Sequence, residues 1–389
     1  MYRFLSLIFA VLFFFSCSSS GGDVQTSKKE GNQDNANEIA DADSGEIPDE
    51  NDSDSDAGTV QDEENDGSNS DYDALIEEDS DSIDDSDTES DDSAVLADDD
   101  SVDEPEEIDD FDGDSIQIRI VAGNITSENK QSYDPGHGIR IFQALKPDIA
   151  LVQEMNYKNN SASDYKNFAQ QIVGTNYYAV DSADYQIPNG VVSRYPITSH
   201  GYWKDPNITN RALLWAVVDI PGNTDIFAIS VHLHTKPASD QMAAAKVIVD
   251  EIAKVKANNP GKYYYVVGGD FNGPTAVSSD GFGRNNTFYV DGPHPVDENG
   301  DEETNANGSS QYDFVLADYP LHEFQVPTVY YSSKDPTKTK SYENGLVFDT
   351  RVYPQSTLDE YFSPAKTSDS GASQMQHMAV VKDFLIELK

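Results

Sequence analysis

The chain is short of cysteine, of positive charge and of long apolar runs, and each shortage excludes a class of protein. Cys17 is the only cysteine among 389 residues, which excludes a disulfide framework. Only 25 Lys and Arg residues accompany 71 Asp and Glu residues, which excludes a basic protein that coats nucleic acid. No apolar run reaches the roughly 20 residues that a spanning helix needs, so a multi-span membrane protein is excluded as well.

The negative charge is concentrated in the first third of the sequence. Residues 18–114 contain 39 acidic and two basic residues, whereas residues 115–389 have a net charge of about −10. A segment rich in Asp, Ser, Glu and Asn buries too little apolar surface to offset its chain entropy, so we expect residues 18–114 to form a disordered acidic linker. Repulsion between its charges extends it into a spacer, and weak calcium collection is the alternative function.

Residues 1–17 are typical of an export signal. Arg3 precedes an apolar stretch over residues 4–15 that is too short to span a membrane. Ser16 and Cys17 follow it, and this arrangement resembles the lipobox of bacterial lipoproteins, in which the cysteine is lipidated. The resemblance implies an exported, membrane-anchored lipoprotein on the periplasmic face or the cell surface. With a plain signal peptide and an incidental cysteine, the protein would be secreted instead.

A folded domain is predicted over residues 115–389. Ile116, Ile118 and Ile120 alternate with polar residues, which is typical of a half-buried strand. Further strands are predicted at 149–153, 190–194, 213–219, 226–232, 263–268, 312–316 and 378–385. Helices are predicted at 138–145, at 164–173 and at 239–255, the last with Ser239 as its cap. Strands interleaved with a few helices predict a layered α/β or α+β domain.

Polar side chains follow several of the predicted strands, where they are costly unless they are paired, bind metal or act in catalysis. Asn124 follows the first strand, and Glu154 follows the second. The strand at 263–268 leads into a glycine turn from which Asp270 and Asn272 project. Such a pair could align a water molecule and steady a phosphate oxygen. The alternative is a polar turn that bonds only to its own backbone.

Three histidines lie near strand ends. His232 and His234 are two residues apart, so we expect both on one face of a strand. A zinc site and a pair of solvent-exposed histidines are both open interpretations, although the sequence has no cysteine pair to support zinc. His377 precedes the final strand, where a lone histidine is usually structural.

In chain order, these segments resemble the endonuclease/exonuclease/phosphatase superfamily, the fold family of pancreatic deoxyribonuclease, abasic-site endonucleases, neutral sphingomyelinases and inositol polyphosphate phosphatases. The resemblance extends over nearly all of residues 115–389. It rests on Asn124, 148–154 (DIALVQE), 189–196 (NGVVSRYP), 231–233 (VHL), 269–272 (GDFN), 312–316 (YDFVL) and 376–377 (QH). The implied fold is an α/β four-layer sandwich of two packed β-sheets flanked by helices.

The resemblance implies a metal-dependent phosphoric ester hydrolase. Glu154 matches the main metal ligand, and Asn124 lies beside the same metal. Oxygen ligands of this kind suit Mg²⁺, with Mn²⁺ or Ca²⁺ as substitutes. Gln376 departs from the pattern, because the family usually has an aspartate of the metal shell there. We therefore expect weaker metal affinity rather than loss of activity.

The resemblance also implies the catalytic residues. Asp270 matches the residue that orients or deprotonates the attacking water, and Asn272 matches one that holds the phosphate. His232 and His377 match the imidazoles that contact the scissile phosphate. Asp313 matches the carboxylate that pairs with His377 and keeps it oriented.

Two further residues are candidates for substrate binding. Asn189 lies in a segment that lines the site in some members of the family. Arg211 is a candidate contact for a substrate phosphate, with an ordinary surface arginine as the alternative.

Three functions are consistent with these residues. The first, which we expect from the sequence, is an extracytoplasmic, divalent-metal-dependent phosphodiesterase, a nuclease that cleaves DNA or RNA. The second is the same chemistry on a phospholipid headgroup or a small phosphate ester. The third is a surface-displayed binding module that has lost catalysis, which only Gln376 supports. No obligate protein partner is implied.

Overall fold

The computed structural model describes residues 114–182 and 185–388. The predicted signal peptide (1–17) and all but the last residue of the predicted linker (18–114) lie outside the described residues. The first strand begins at Ser115, the residue at which the folded domain is predicted to begin. None of the helices in the described part of the chain is long and apolar enough to span a membrane.

Fourteen strands are present in the described residues. In chain order they are β1 (Ser115–Gly123), β2 (Ile149–Val152), β3 (Tyr177–Val180), β4 (Gly190–Ser193), β5 (Ile197–Trp203), β6 (Leu213–Val218), β7 (Asp225–His232), β8 (Tyr263–Asp270), β9 (Asp313–Ala317), β10 (Gln325–Val326), β11 (Thr328–Tyr331), β12 (Thr339–Tyr342), β13 (Leu346–Phe348) and β14 (Ala379–Glu387). The α-helices are α1 (His137–Leu145), α2 (Ala162–Val173), α3 (Ala238–Asn258), α4 (Tyr319–His322) and α5 (Gln355–Tyr361).

Two sheets carry the fold. The seven-stranded sheet has the order β10-β14-β1-β2-β4-β3, with β13 also paired to β14, and the five-stranded sheet has the order β5-β6-β7-β8-β9. Strands β11 and β12 form a separate hairpin. At the centre of each sheet lies one parallel pair, β1 with β2 and β7 with β8. The carboxyl ends of these four strands carry the polar residues described below.

The core has three apolar layers that alternate with the sheets. The alternating side chains of β1, such as Ile118 and Ile120, lie in one apolar cluster with Ala228 and Val266 of the five-stranded sheet. Helices α1 and α2 cover the outer face of the seven-stranded sheet, and α3 covers the outer face of the five-stranded sheet. This arrangement confirms the predicted four-layer α/β sandwich.

Local details differ from the sequence prediction. Helix α3 begins one residue earlier than predicted, at Ala238, and Ser239 lies in its first turn rather than at its cap. The edge strands β3 and β5 and the strands between residues 325 and 348 are not predicted. Most of them are short or edge strands with several exposed side chains, so an apolar alternation is weak there.

Candidate active site

Strand register brings the catalytic candidates of the five-stranded sheet into one row. His232 ends β7, Asp270 ends β8 and Asp313 begins β9. Asp270 pairs directly with His232 on one side and with Asp313 on the other. Neighbouring paired residues point to the same face, so the three side chains converge.

The predicted glycine turn is wrong, because β8 continues through Gly268 and Gly269 to Asp270. At Gly269 the backbone has φ 137°, and a Cβ there would lie only 2.1 Å from the carbonyl oxygen of Val231. The glycine therefore permits close strand packing beneath the site rather than a turn.

The seven-stranded sheet supplies Asn124 and Glu154. Asn124 directly follows β1, and Glu154 follows β2 after Gln153, with a left-handed backbone at φ 49°. The Nδ2 atom of Asn124 donates to Oε1 of Glu154 and to Oδ2 of Asp270, each over 3.2 Å. Thr126 donates to the other oxygen of Glu154, also over 3.2 Å. Both sheets therefore meet at one hydrogen-bonded carboxylate cluster.

Asp270 lies between two imidazoles. Its Oδ2 atom is 3.3 Å from Nε2 of His232 and 3.3 Å from Nε2 of His377. On the far side of the second ring, Nδ1 of His377 is 2.8 Å from Oδ2 of Asp313. His377 is thus held between two buried carboxylates, as the resemblance implies for a histidine paired with Asp313.

The pKa values of His232 and His377 are shifted in opposite directions by burial and by neighbouring carboxylates. Burial works against the charged form of His377, but Asp270 and Asp313 outweigh it and raise the pKa of His377 to about 10. Burial lowers the pKa of His232 to about 3. At neutral pH the site therefore contains one cationic and one neutral imidazole.

The carboxylates also differ in their electrostatics. Burial opposes ionisation of Asp270, but the charge of His377 outweighs it, so the pKa of Asp270 lies below its ordinary value. Burial raises the pKa of Asp313 to about 6 and raises the pKa of Glu154 as well. Asp270 is thus the carboxylate best stabilised in its ionised, proton-accepting form.

These side chains open into a cleft of about 540 Å³. Eight of the ten predicted site residues line it: Asn124, Glu154, Arg211, His232, Asp270, Asn272, Gln376 and His377. The other lining residues are Gln131, Ile187, Thr235, Asn305, Ala306, Asn307 and Tyr312. Asp313 is buried behind His377 rather than in the cleft wall.

Asn189 does not match its predicted contact with substrate. It is fully buried, and its Nδ2 atom donates to the carbonyl oxygen of Ala212 over 2.6 Å. Its backbone N–H donates to Asp181, which also accepts from the N–H of Ala212. Asn189 therefore ties two neighbouring segments together behind the cleft.

Arg211 and Asn272 donate hydrogen bonds to backbone carbonyl oxygens at the cleft wall. Arg211 is buried, so a surface arginine is excluded, and it donates from Nε to the carbonyl oxygen of His232 and from Nη2 to that of Leu233. Asn272 has a left-handed backbone at φ 53° and donates from Nδ2 to the carbonyl oxygen of Leu233. Both residues shape the segment that follows β7.

The prediction that His234 shares a strand face with His232 is wrong. Strand β7 ends at His232, because Arg211 takes the carbonyl oxygens that a continuing strand would use. His234 instead lies in the following loop, with Nδ1 3.0 Å from Oδ2 of Asp240. The two imidazoles therefore do not form the histidine pair that a zinc site would need.

The donor set fits a divalent cation. The Oδ1 atom of Asn124 is buried without a hydrogen-bond partner, beside the carboxylate of Glu154. An amide oxygen and a carboxylate are hard oxygen ligands, which Mg²⁺ prefers. Within the described residues, Asp270, Asp313 and His377 form a second group whose ligand atoms lie within 4.8 Å of one another. His377 is cationic at neutral pH, so neither of its ring nitrogens has a free lone pair for a metal ion. Asn124 and Glu154 are therefore the residues that could hold a cation.

Several residues of the site were not predicted. Thr126 and Thr304 bond to the carboxylates of Glu154 and Asp313. Gln131, Tyr312 and residues 305–307 line the cleft. They lie in loops far apart in the sequence, and no local pattern distinguishes them from other loop residues.

The chain matches the model of a known protein family. The family model described as "Endonuclease/Exonuclease/phosphatase family" matches residues 116–332, more than half of the chain. No curated protein matches the chain.

Similar solved structures include truncated TDP2 from Caenorhabditis elegans, with 16% identity and a TM-score of 0.39 over 69% of this chain and 97% of that one. They also include the mannosyl-6-phosphatase Bt3783 of Bacteroides thetaiotaomicron, with 14% identity and a TM-score of 0.41 over 69% of this chain and 99% of that one. The match to the family model spans the strands that carry Asn124, Glu154, His232, Asp270 and Asp313. The chain therefore belongs to the endonuclease/exonuclease/phosphatase family and is a metal-dependent phosphoric ester hydrolase.

Proposed function

We propose that the protein hydrolyses a phosphate ester by attack of a water molecule that Asp270 activates. One observation carries the proposal: a single oxygen of Asp270 lies within 3.3 Å of Nε2 of both His232 and His377, at a cleft of substrate size. A depressed pKa keeps Asp270 ionised, as a proton acceptor must be.

Asn124 and Glu154 would hold the metal ion, and we propose Mg²⁺ because both offer oxygen ligands. The ion supplies neutralisation of phosphate charge and polarisation of a phosphoryl oxygen. Gln376 lies exposed at the mouth of the cleft, where its amide can contact the hydration shell of the ion but contributes no charge.

The two imidazoles have separate tasks in this proposal. His377 is cationic at neutral pH, so it donates to a phosphate oxygen as negative charge develops. Asp313 accepts from Nδ1 and fixes the orientation of that ring. His232 is neutral at this pH and donates a hydrogen bond to the phosphate from one ring nitrogen. Asn272 closes the cleft beside them and steadies the phosphate.

The cleft wall favours a small phosphate ester as substrate over a nucleic-acid strand. Arg211 is the only Lys or Arg among the described lining residues, and two of its nitrogens already donate to backbone carbonyls. A nucleic-acid strand presents a row of phosphates and is usually bound by several cations. Amides such as Asn305 and Gln376 and the ring of Tyr312 suit a neutral, hydroxyl-bearing leaving group instead.

A nuclease remains the second candidate. The sequence favours it, and the description of the family names endonucleases and exonucleases. We further propose export and membrane attachment through a lipidated Cys17, which the pattern of residues 1–17 supports.

The test is hydrolysis by the purified protein with Mg²⁺, Mn²⁺, Ca²⁺ or EDTA. The substrates are sugar phosphates, a generic phosphomonoester, sphingomyelin, plasmid DNA and RNA. Asp270→Asn removes the proton acceptor at nearly constant shape, and Asp291→Asn, at an exposed position, is the matched control. We expect metal-dependent release of phosphate from a small ester that Asp270→Asn abolishes and Asp291→Asn leaves intact. Cleavage of DNA or RNA alone would select the nuclease, and a folded, metal-loaded protein inert on every substrate would contradict the proposal.

A further inference from the structure

The hydroxyl of Thr304 has a fully determined hydrogen-bond arrangement. Thr304 is completely buried, and its Oγ1 atom accepts from the backbone N–H groups of Tyr312 and Asp313, each over 2.8 Å. A hydroxyl has two acceptor sites and one proton. Because both acceptor sites are occupied, its proton is committed to the remaining neighbour, Oδ2 of Asp313, at 2.8 Å.

That same carboxylate oxygen accepts from His377. Nδ1 of His377 lies 2.8 Å from Oδ2 of Asp313, so this oxygen receives one bond from the hydroxyl and one from the ring. The other oxygen, Oδ1, is buried without a hydrogen-bond partner. Rotation of the carboxylate would break both bonds at once, and Thr304 therefore locks the oxygen that faces His377.

The backbone around Thr304 holds the other side of the same histidine. The carbonyl oxygen of Thr304 accepts from the N–H of Met378, and the N–H of Ala306 donates to the carbonyl oxygen of Gln376. Between these two bonds, Asn305 pairs with His377 as an antiparallel bridge. Residues 304–306 thus hold the backbone on both sides of His377, and Thr304 also reaches the ring of His377 by way of Asp313.

We propose that Thr304 is a positioning residue that fixes the ring of His377 by orienting Asp313. The inference rests on the proposed function, in which that ring contacts the phosphate. Thr304 itself touches no reacting atom, because it is buried behind the cleft wall. Removal of a group that orients a functional side chain typically lowers activity by about 10- to 100-fold.

Three variants distinguish a role of Thr304 in positioning His377 from a role in folding stability alone. Thr304→Val keeps the shape but removes the hydroxyl, and Thr304→Ser restores it. Thr350→Val is the matched control, because Thr350 is equally buried. Its hydroxyl also donates one hydrogen bond and accepts another, but both partners, Thr367 and Ser370, lie outside the cleft wall. We expect Thr304→Val to lower kcat by about 10- to 100-fold with KM unchanged. We expect Thr304→Ser to recover most of kcat, and Thr350→Val to change stability without changing kcat.

Nuclear magnetic resonance of the wild-type protein tests the geometry without a variant and without activity. The Nδ1 proton of His377 and the hydroxyl proton of Thr304 point to one oxygen, so both should exchange slowly and show a mutual Overhauser effect. In folded Thr304→Val the imidazole proton should broaden or shift. Absence of the Overhauser effect in the wild type, or an unchanged kcat in folded Thr304→Val, would overturn the proposal. If the protein is inactive on every substrate but the Overhauser effect is present, the proposed function fails while the positioning geometry stands.

Discussion

The amide nitrogen of Asn124 donates to Glu154 over 3.2 Å, and this bond leaves Oδ1 of Asn124 buried without a hydrogen-bond partner. The same nitrogen also donates to Asp270. Because both neighbours are carboxylates, which only accept, they fix the orientation of the amide with Nδ2 towards them and Oδ1 away from them. A buried acceptor without a partner costs about 1–3 kcal/mol. A cation bound beside Glu154 would satisfy it, which makes the pair testable as a metal site.

Glu154→Gln should weaken binding of Mg²⁺ or Mn²⁺ by at least about tenfold, because it removes the charge and keeps the shape. Titration calorimetry of the metal-free protein measures the affinity directly, independently of any substrate. Glu302→Gln, at an exposed position outside the cleft lining, is the control and should bind like the wild type. Equal affinities in all three proteins would place the cation elsewhere.

Asp270→Asn should make the protein's stability less dependent on pH. The pKa of His377 is raised in the folded state to about 10, and Asp270 is the largest of the charges that raise it. A raised pKa means that the folded state binds the proton more tightly, so its stabilisation is complete below about pH 6.5 and is lost as the pH rises towards 10. The wild-type, metal-free protein should therefore lose stability across this window, and Asp270→Asn should lose less of it.

Denaturant unfolding at several pH values, with the pKa of His377 followed by nuclear magnetic resonance, checks this expectation. Asp291→Asn serves again as the exposed control. A pKa of His377 that does not fall in Asp270→Asn would show that the two groups are not coupled as described.

Most of the strands could be predicted from local patterns in the sequence, and most of the site from those patterns together with the resemblance to the family. Alternation marks β1, and polar residues at the ends of apolar strands mark Glu154, His232 and Asp270. The prediction failed where contacts between residues distant in the sequence determine the end of a strand or the orientation of a side chain. Strand β7 stops before His234 because Arg211 captures its next carbonyl oxygens, and Asn189 is turned into the interior by bonds to Asp181 and Ala212.

Backbone conformation and loop contacts also had no sequence signal. Glu154 and Asn272 have left-handed backbones, which few non-glycine residues adopt and which re-aim their side chains. Thr304 reaches Asp313 from a loop that carries no recognisable pattern. Its contribution becomes visible only when all three bonds of its hydroxyl are known.

Gln376→Asp should tighten metal binding, because it adds a negative charge at the mouth of the cleft, where family members usually have aspartate. The amide of Gln376 is exposed, so the substitution costs little folding stability. Gln374→Asp is the matched control, since it adds the same charge at an exposed position two residues away and outside the cleft lining. Calorimetry should give a lower Kd for Gln376→Asp only. A similar change in both variants would indicate a general charge effect rather than a ligand.

Lys382→Met should stabilise the protein at neutral pH, since Lys382 lies buried on β14 opposite Ile120. Burial lowers the pKa of its ammonium group to about 8, and no carboxylate in the described part of the chain raises it again. The charged form is therefore disfavoured in the folded state. The folded protein bears this cost in full below pH 8, and it disappears as the pH rises from 8 to about 10.5.

The expected gain for Lys382→Met at pH 7 is on the order of 3 kcal/mol in the free energy of unfolding, since each pKa unit corresponds to about 1.4 kcal/mol. The exposed Lys254→Met is the control and should change stability little. Denaturant unfolding at pH 7 and pH 10 gives the decisive comparison, because the advantage of Lys382→Met over the wild type must shrink at the higher pH. An advantage that is equal at both pH values would show that better apolar packing, and not the buried charge, is responsible.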